Sequence, residues 1–465
     1  SHMQFETQAF QPSVLYLNGE YWGIHNLRER VDKYFLSAKF GVNEEQLDIL
    51  EGNMAVDEGD NSHYAAMMDY LLANGAGEAT HYNRVKEMMD TESFRDYMIS
   101  EIFMANTDWP GNNIKYWRLQ TPEYLPEAGP GRDGRWRWIL FDADFSFGIY
   151  RPEEYSLDMM RFTTRADGPD WPNPPWSTLL FRKLLENEEF KTGFIIRFCD
   201  QLNTAFLPGV VHGIIDGMQA AIEPEMERQM GRWKIPSSLN SWYNNITLMK
   251  NFAGKRPAYA RSHLQSYFGL ASDYRLTVSI SGPGEGHVVV NTITLTGATR
   301  GVPENPYPWQ GRYFRKMPLR LEAVPAPGYR FVRWESGNTH SENPILTLNP
   351  AGDTYMKAVF REEEVTAVRE PVIQDVQANG LQGELFPNPF AESATFRLTS
   401  NQCGEGTIFL ADLQGRKVQQ IYRGFLPAGS FSCQVDGSSL APGIYFLVCE
   451  TPGALFHQKV VRIKP

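Results

Sequence analysis

The chain has 465 residues, of which 42% are hydrophobic and 13% aromatic, a composition too apolar for a disordered protein. Its 44 Lys and Arg against 55 Asp and Glu give a net charge of -11, which excludes the basic character typical of nucleic-acid binding, so no nucleic-acid partner is expected. No apolar run approaches the roughly 20 residues of a membrane span, and we expect no transmembrane segment.

The N-terminal region alternates short strand-like runs with helical periodicity. A hairpin is predicted over residues 13–25, around the turn formed by Asn18 and Gly19. Asp90 is expected to cap a helix that ends before Asp108-Trp-Pro-Gly, because this cluster of helix breakers places Asp108 on a loop.

A second hairpin and further helices follow. The hairpin is predicted from the strand-like runs Ile114–Leu119 and Trp136–Phe141, which are separated by a loop rich in Gly and Pro. Helical periodicity then dominates from Ser177 to Ala220 and again over Ala258–Phe268. This region is therefore predicted to be α+β, and we place the domain at residues 4–270.

The rest of the chain is predicted to be all-β, because apolar and polar residues alternate between turn residues. One small β domain is predicted over 273–361, a polar linker over 362–381 and a second β unit, a sandwich, over 382–465. The fold class is thus multidomain, with an α+β domain followed by two small all-β domains.

Four polar residues in the N-terminal region point to metal and phosphate chemistry. Asp142 and Asp144 stand two apart at a strand end, so both carboxylates can face one side and hold Mg²⁺ or Mn²⁺. Asp108 and Asn113 have the spacing by which phosphotransferases place a proton-accepting Asp and a metal-binding Asn. Taken alone, Asp142 and Asp144 are more typical of turn-capping or solvated carboxylates; the ordered set of four residues favours a metal-phosphate site.

Three separated motifs resemble the spore-coat protein H (CotH) kinase family. They are the Leu15–Leu36 run, the loop Asn106-Thr-Asp-Trp-Pro-Gly-Asn-Asn-Ile-Lys-Tyr-Trp-Arg118 and the Trp138–Gly148 strand end. The resemblance covers residues 8–265. It implies an atypical protein-kinase-like fold that binds ATP with a divalent metal, Mg²⁺ or Mn²⁺, and phosphorylates Ser or Thr of surface or secreted proteins.

The resemblance also implies roles for individual residues: Asp108 as the catalytic residue, Asn113, Asp142 and Asp144 as metal ligands, and Glu29 and Lys33 near the nucleotide. An exposed, charged helix start is the alternative for Glu29 and Lys33. The resemblance also implies an upstream segment that helps to build the nucleotide lobe, and we expect this chain to start after it. We therefore expect metal binding with weaker nucleotide binding and impaired catalysis. Lys115 and Arg118 are candidate substitutes for the missing phosphate-binding cation, with a solvated strand face as the alternative.

The two β regions carry resemblances of their own. Residues 275–361, with the run Pro327-Gly-Tyr-Arg-Phe-Val-Arg-Trp334, resemble the internalin B-type surface repeat, which implies a spacer or adhesion module. Residues 385–465, which begin Leu385-Phe-Pro-Asn-Pro-Phe390, resemble the type IX secretion sorting domain of Bacteroidetes. The second resemblance implies handling by the type IX secretion machinery and a secreted or cell-surface location.

Two functional hypotheses follow from these observations. The leading one is a secreted or surface ATP-dependent kinase. The alternative is an inactive kinase-like surface protein that binds glycan or a partner protein. The aromatic segment Asp170-Trp-Pro-Asn-Pro-Pro-Trp176 bears on both hypotheses, since it is predicted either to stack on a ligand or to form a rigid loop pinned by Trp burial.

Overall fold

The computed structural model describes residues 3–337, 339–363, 381–401, 403–413, 415–438, 440–452 and 454–463. By its internal contacts the chain divides into two compact units, Ser1–Glu363 and Glu364–Pro465. None of the helices in the described ranges is long and apolar enough to cross a membrane.

The first unit begins with the strands and helices that surround the candidate site. In chain order they are β1 (Glu6–Thr7), β2 (Phe10–Leu17), β3 (Glu20–Arg28), α1 (Lys33–Phe40), β4 (Leu47–Glu51), β5 (Ala55–Glu58), α2 (Ser62–Asn74), α3 (Ala79–Met88), α4 (Thr91–Met104), β6 (Lys115–Leu119) and β7 (Arg137–Leu140). The predicted first hairpin is present as β2 and β3, and its Asn18-Gly19 turn has positive φ at both residues, 50° and 83°, as such a turn requires.

The predicted second hairpin is the middle of a larger sheet. Strands β6 and β7 pair antiparallel in a five-stranded sheet with the order β1-β7-β6-β4-β5. Helix α4 packs against β7, and its residues are buried on nearly every side. Its central position in the domain buries polar residues such as Asp96 and Glu101 together with its apolar side chains.

Helices complete the N-terminal region: α5 (Met159–Phe162), α6 (Pro175–Leu184), α7 (Glu188–Leu202), α8 (Pro208–Ile222), α9 (Met226–Trp233) and α10 (Leu239–Phe268). Helix α10 starts well before the predicted Ala258 and continues through Pro257. A proline normally interrupts a helix. Here the preceding residue, Arg256, is fully buried and its guanidinium donates to the carbonyl oxygens of Phe103 and Ile102, so tertiary contacts hold the helix across the proline.

Two sheets follow in the same unit. Their strands are β8 (Asp273–Ile280), β9 (Gly286–Val290), β10 (Ile293–Thr294), β11 (Trp309–Phe314), β12 (Leu319–Pro325), β13 (Tyr329–Ser336), β14 (Thr339–Ser341), β15 (Ile345–Leu348) and β16 (Thr354–Glu362). The strand orders are β10-β9-β12-β15 and β11-β8-β16-β13-β14. Their buried side chains belong to the same hydrophobic core as those of α4 and α7.

The second unit is all-β and has its own core. Its strands are β17 (Leu381–Phe386), β18 (Ser393–Ser400), β19 (Gly404–Ala411), β20 (Lys417–Leu426), β21 (Gly429–Asp436), β22 (Gly443–Thr451) and β23 (Ala454–Arg462). They form sheets with the orders β17-β18-β21 and β20-β19-β22-β23. Of the predicted linker, residues 364–380 lie outside the described residues; Glu362 ends β16 and Leu381 begins β17, so the ends of the predicted linker are strand.

The α+β region followed by all-β sheets agrees with the predicted fold class. The predicted boundary between residues 270 and 273 stays a prediction, since the helices and the following sheets share one core.

Candidate active site

Helix α4 delivers the loop that contains Asp108. The Asp90 carboxylate caps its first turn by accepting from the backbone N–H groups of Glu92 and Ser93, as predicted. The helix ends at Met104, and Ala105 adopts a left-handed conformation with φ 53° that turns the chain away from the axis. The Asp108 loop, residues 105–114, starts at this point.

Asp108 is 8% exposed, and its carboxylate accepts three hydrogen bonds. Its Oδ2 accepts from the side-chain amides of Asn112 and Asn113, at 2.8 and 2.9 Å. Its Oδ1 accepts from the indole Nε1 of Trp171 at 2.6 Å. The position of both oxygens is therefore fixed by neighbouring donors.

Asn113 joins the two halves of the site. Because β6 and β7 are antiparallel, the residues before β6 lie beside those after β7. The Asn113 amide Nδ2 donates to the Asp108 carboxylate and, at 3.3 Å, to the backbone carbonyl of Asp142. In the described part of the chain no donor reaches its Oδ1, which is left as an acceptor.

The Asp142 loop, residues 141–148, runs beside the Asp108 loop. Backbone hydrogen bonds connect them, from the Thr107 N–H to the Phe145 carbonyl and from the Phe147 N–H to the Met104 carbonyl. Asp142 and Asp144 are both exposed, and Asp142 has a positive φ of 49°. The two loops thus bring all four predicted residues to one place.

Carboxylates repel one another in this arrangement. Partial burial raises the pKa of Asp142, and the negative charges of Asp144 and Asp108 raise it further, while the positive charge of Arg28 lowers it. Converging carboxylates of this kind are the usual setting for a divalent cation, since the cation removes their mutual repulsion.

A buried pair lies beneath the Asp108 loop. The Asn106 Oδ1 accepts from the Asp108 N–H, and the Asn106 Nδ2 donates to the Glu101 carboxyl at 3.0 Å. Glu101 is fully buried, and burial raises its pKa to about 8 against a small opposing effect of Asn106, so its carboxyl group is mostly protonated at neutral pH. The loop is therefore supported from the core.

Glu29 and Lys33 do not contact each other. Glu29 is exposed after β3, and its carboxylate accepts from the Ala9 N–H. Lys33 opens α1, where its ammonium group pairs with Glu45 at 3.0 Å and Glu58 at 3.5 Å. Their nucleotide role stays a prediction.

Lys115 and Arg118 lie in the five-stranded sheet and are buried, so the alternative of a solvated strand face is wrong. Lys115 pairs with Asp57 at 2.9 Å and with Glu51 at 3.2 Å. Its ammonium group also lies 5.8 Å from the ring centre of Phe141, the residue before Asp142. Arg118 pairs with Asp48 at 2.8 Å, and both are buried. Their role as nucleotide contacts is untested.

The donor set fits a magnesium-type ion that also binds phosphate. Among the described residues no three or more His, Cys, Asp or Glu side chains form a preformed metal cage. Mg²⁺ is commonly held by one or two carboxylates, with water and phosphate oxygens in the remaining positions. Asp142, Asp144 and the free Oδ1 of Asn113 are such a set.

Sequence reasoning missed two contributors. Arg28 comes near Asp142 because the β2–β3 hairpin ends beside the site, and only its position directly before Glu29 hinted at this. The segment 170–176 was expected either to stack on a ligand or to be pinned by Trp burial; Trp171 is 57% exposed, which does not fit burial, and its bond to Asp108 was not predicted. No local signal connects two residues that are 63 positions apart.

A mixed α+β domain with an Asp-x4-Asn loop facing an Asp-x-Asp strand end is the arrangement expected of a kinase-like protein. Family comparison agrees: residues 1–260 match the CotH kinase protein family, and the chain belongs to that family. Residues 384–464 match the secretion system C-terminal sorting domain. The predicted resemblances to the CotH kinase family and to the sorting domain are thereby confirmed, whereas the resemblance of residues 275–361 to the internalin B-type repeat stays a prediction. The sorting domain indicates type IX secretion and attachment at the cell surface, as predicted.

Other comparisons add little. No curated protein matches this chain. Among solved structures, dimeric latent PorU from Porphyromonas gingivalis is similar at 16% identity over 40% of this chain and 16% of that chain, with a TM-score of 0.15. A chimeric titin Z1Z2-Z1Z2 tandem is similar at 11% identity over 32% of this chain and 90% of that chain, with a TM-score of 0.14. Neither score supports an argument about fold or function.

Proposed function

We propose that the protein transfers a phosphoryl group from ATP, with Mg²⁺ or Mn²⁺, to Ser or Thr hydroxyls of secreted or surface proteins. Membership of the CotH kinase family gives the general class, a secreted or surface atypical kinase that uses a nucleotide and a divalent metal. The observation that carries the proposal is the Asn113 amide, which bonds both the Asp108 carboxylate and the Asp142 backbone.

Each residue has a distinct role in this proposal. Asp108 accepts the proton of the acceptor hydroxyl, since its carboxylate is held in place by fixed donors. Asp142, Asp144 and the Asn113 Oδ1 hold the metal ion, which neutralises the charge on the phosphates. The protein's remaining contribution is to position the reactants.

The phosphates also need a positive side chain. Arg28 suits this role, because its charge already acts on Asp142 and no ion pair engages it in the described residues. Lys115 must exchange its bonds to Asp57 and Glu51 before it can bind phosphate, and Arg118 must leave Asp48. Glu29, directly after the hairpin, and Lys33, at the start of α1, are retained as candidate nucleotide contacts.

Calorimetric titration with ATP and Mn²⁺ tests the metal site. Asp142→Ala should weaken binding at least about tenfold, because the ion loses a carboxylate. Asp108→Asn should leave metal-ATP binding in place and lower phosphate transfer to a Ser/Thr acceptor protein at least about 100-fold. Asp216→Ala, at an exposed aspartate on α8, is the matched control and should change neither quantity.

Two results would contradict the proposal. One is ATP binding that does not depend on the metal or on Asp142. The other is metal-ATP binding by the wild type with no transfer to any protein hydroxyl, which would favour an inactive binding protein.

A further inference from the structure

The indole of Trp171 makes a hydrogen bond to Asp108 that packing in the hydrophobic core does not explain. Trp171 is 57% exposed, so its ring contributes little to the hydrophobic core. Its Nε1 nevertheless donates to Oδ1 of Asp108 at 2.6 Å. A short bond to a carboxylate is among the stronger hydrogen bonds in proteins, so the ring is tied to the Asp108 loop.

The backbone that follows Trp171 is fixed against the same loop. The carbonyl of Pro172 accepts from the Gly111 N–H at 2.6 Å. A Cβ atom on Gly111 would lie 2.4 Å from Pro174 Cδ, so the approach leaves no space for a side chain. Asn173 is buried and donates to the Phe162 carbonyl. The indole therefore approaches Asp108 from a rigid support.

The two carboxylate oxygens of Asp108 are not equivalent. A carboxylate oxygen accepts about two hydrogen bonds. Oδ2 already accepts two, from Asn112 and Asn113 of its own loop. Oδ1 accepts one in the described residues, from Trp171, and keeps capacity for a substrate hydroxyl. Trp171 is thus the residue that fixes the orientation of the available oxygen.

We propose that Trp171 is a positioning residue for phosphate transfer, and that its indole N–H aims Oδ1 of Asp108 at the acceptor hydroxyl. This role rests on the proposed kinase function. Misplacing a catalytic group by about 1 Å can cost on the order of 100-fold in rate, so loss of the N–H should lower turnover and leave substrate binding intact.

Steady-state kinetics of the full chain with Mn²⁺, ATP and a Ser/Thr acceptor protein test this role. Trp171→Phe keeps an aromatic ring and removes the N–H donor. We expect kcat to fall about 10–100-fold while KM for the acceptor stays within about twofold. Trp176→Phe, at the other tryptophan of the same segment, is the matched control and should stay within about twofold in both constants.

A spectroscopic measurement does not depend on turnover or on the stability of Trp171→Phe. The indole ¹H–¹⁵N resonance that Trp171→Phe removes, or that selective labelling identifies, belongs to Trp171. In Asp108→Ala this resonance should move upfield, because the proton loses its carboxylate acceptor. Asp216→Ala should leave it in place.

These outcomes distinguish the positioning role of Trp171 from the proposed kinase function. If the wild type is active, an unchanged kcat in Trp171→Phe overturns the role of Trp171 alone. An indole resonance that does not move in Asp108→Ala has the same consequence. A raised KM with an unchanged kcat also overturns it, since that pattern indicates a substrate contact. A wild type that binds metal-ATP and transfers no phosphate removes the proposed function and the positioning role with it.

Discussion

At the scale of single residues, the site is shaped by carboxylates that repel each other. Asp142 lies near Asp144 and Asp108, and its pKa is raised from its ordinary value by partial burial and by both neighbours. A metal ion requires the ionised form, so protons compete with the metal at a higher pH than at an ordinary aspartate.

This competition predicts a pH dependence of metal affinity. We expect Mn²⁺ affinity to fall as the pH falls through the raised pKa of Asp142. Asp108→Asn removes one negative neighbour and should move the midpoint to lower pH. Arg28→Gln removes the cation that lowers this pKa and should move the midpoint in the opposite direction. Calorimetry over a series of acidic to neutral pH values measures both shifts, and a shift in the same direction in the two variants would disprove this explanation.

At the scale of elements, the position of the Asp108 loop is set by the end of α4. The fully buried Arg256 of α10 donates to the carbonyl oxygens of Ile102 and Phe103 in the last turn of α4, and to those of Tyr155 and Leu157. Burial lowers the pKa of this guanidinium to about 10, a value that keeps it charged at neutral pH. The negative end of the helix dipole, at the C-terminus of α4, also stabilises this cation.

Removing this cation should loosen α4. Arg256→Met removes the side-chain donor from four carbonyl oxygens, of which those of Ile102 and Leu157 keep a backbone donor, and we expect the free energy of unfolding to fall by about 3 kcal/mol. Arg165→Met, at an exposed ion pair with Asp167, should change it by less than about 0.5 kcal/mol. Urea denaturation followed by tryptophan fluorescence measures both, and equal losses would rule out a special role for Arg256.

The elements also show how far sequence reasoning reaches. Local chemistry predicts the Asn18-Gly19 turn and the Asp90 cap, because both depend on adjacent residues. The start of α10 was predicted wrongly at Ala258, since the contacts of Arg256 that carry the helix past Pro257 come from distant segments. The approach of Trp171 to Asp108 escaped prediction for the same reason.

At the scale of the whole molecule, a buried polar junction connects α7 to the following sheets. The carboxylate of Asp200 accepts from the Tyr313 hydroxyl, from the Asn291 amide and from both the hydroxyl and the N–H of Thr292. Burial raises its pKa to about 6, although these four donors oppose the rise. The helical region and the middle sheets are therefore joined by specific polar contacts as well as by a shared core.

The raised pKa gives the junction a defined pH dependence. The ordinary aspartate pKa lies below that of folded Asp200, so its contribution to stability is full at low pH and is lost as the pH rises through about 6. Relative to Asp200→Asn, the wild type should lose up to about 2 kcal/mol between pH 4 and pH 7. Urea denaturation at several pH values gives this difference. A constant difference across that range would contradict the buried, titrating carboxylate.

The length of α10 determines where a folded fragment of this chain can end. The region that matches the kinase family ends at residue 260, inside a helix that runs to Phe268, and the hydrogen-bond donors to Asp200 come from still later residues. A fragment that ends at residue 260 would therefore have a frayed helix end close to Arg256, and it would expose hydrophobic core residues that the following sheets bury. The region that matches the kinase family is therefore shorter than the compact unit that contains it, and we expect a fragment that folds to extend at least to Glu363.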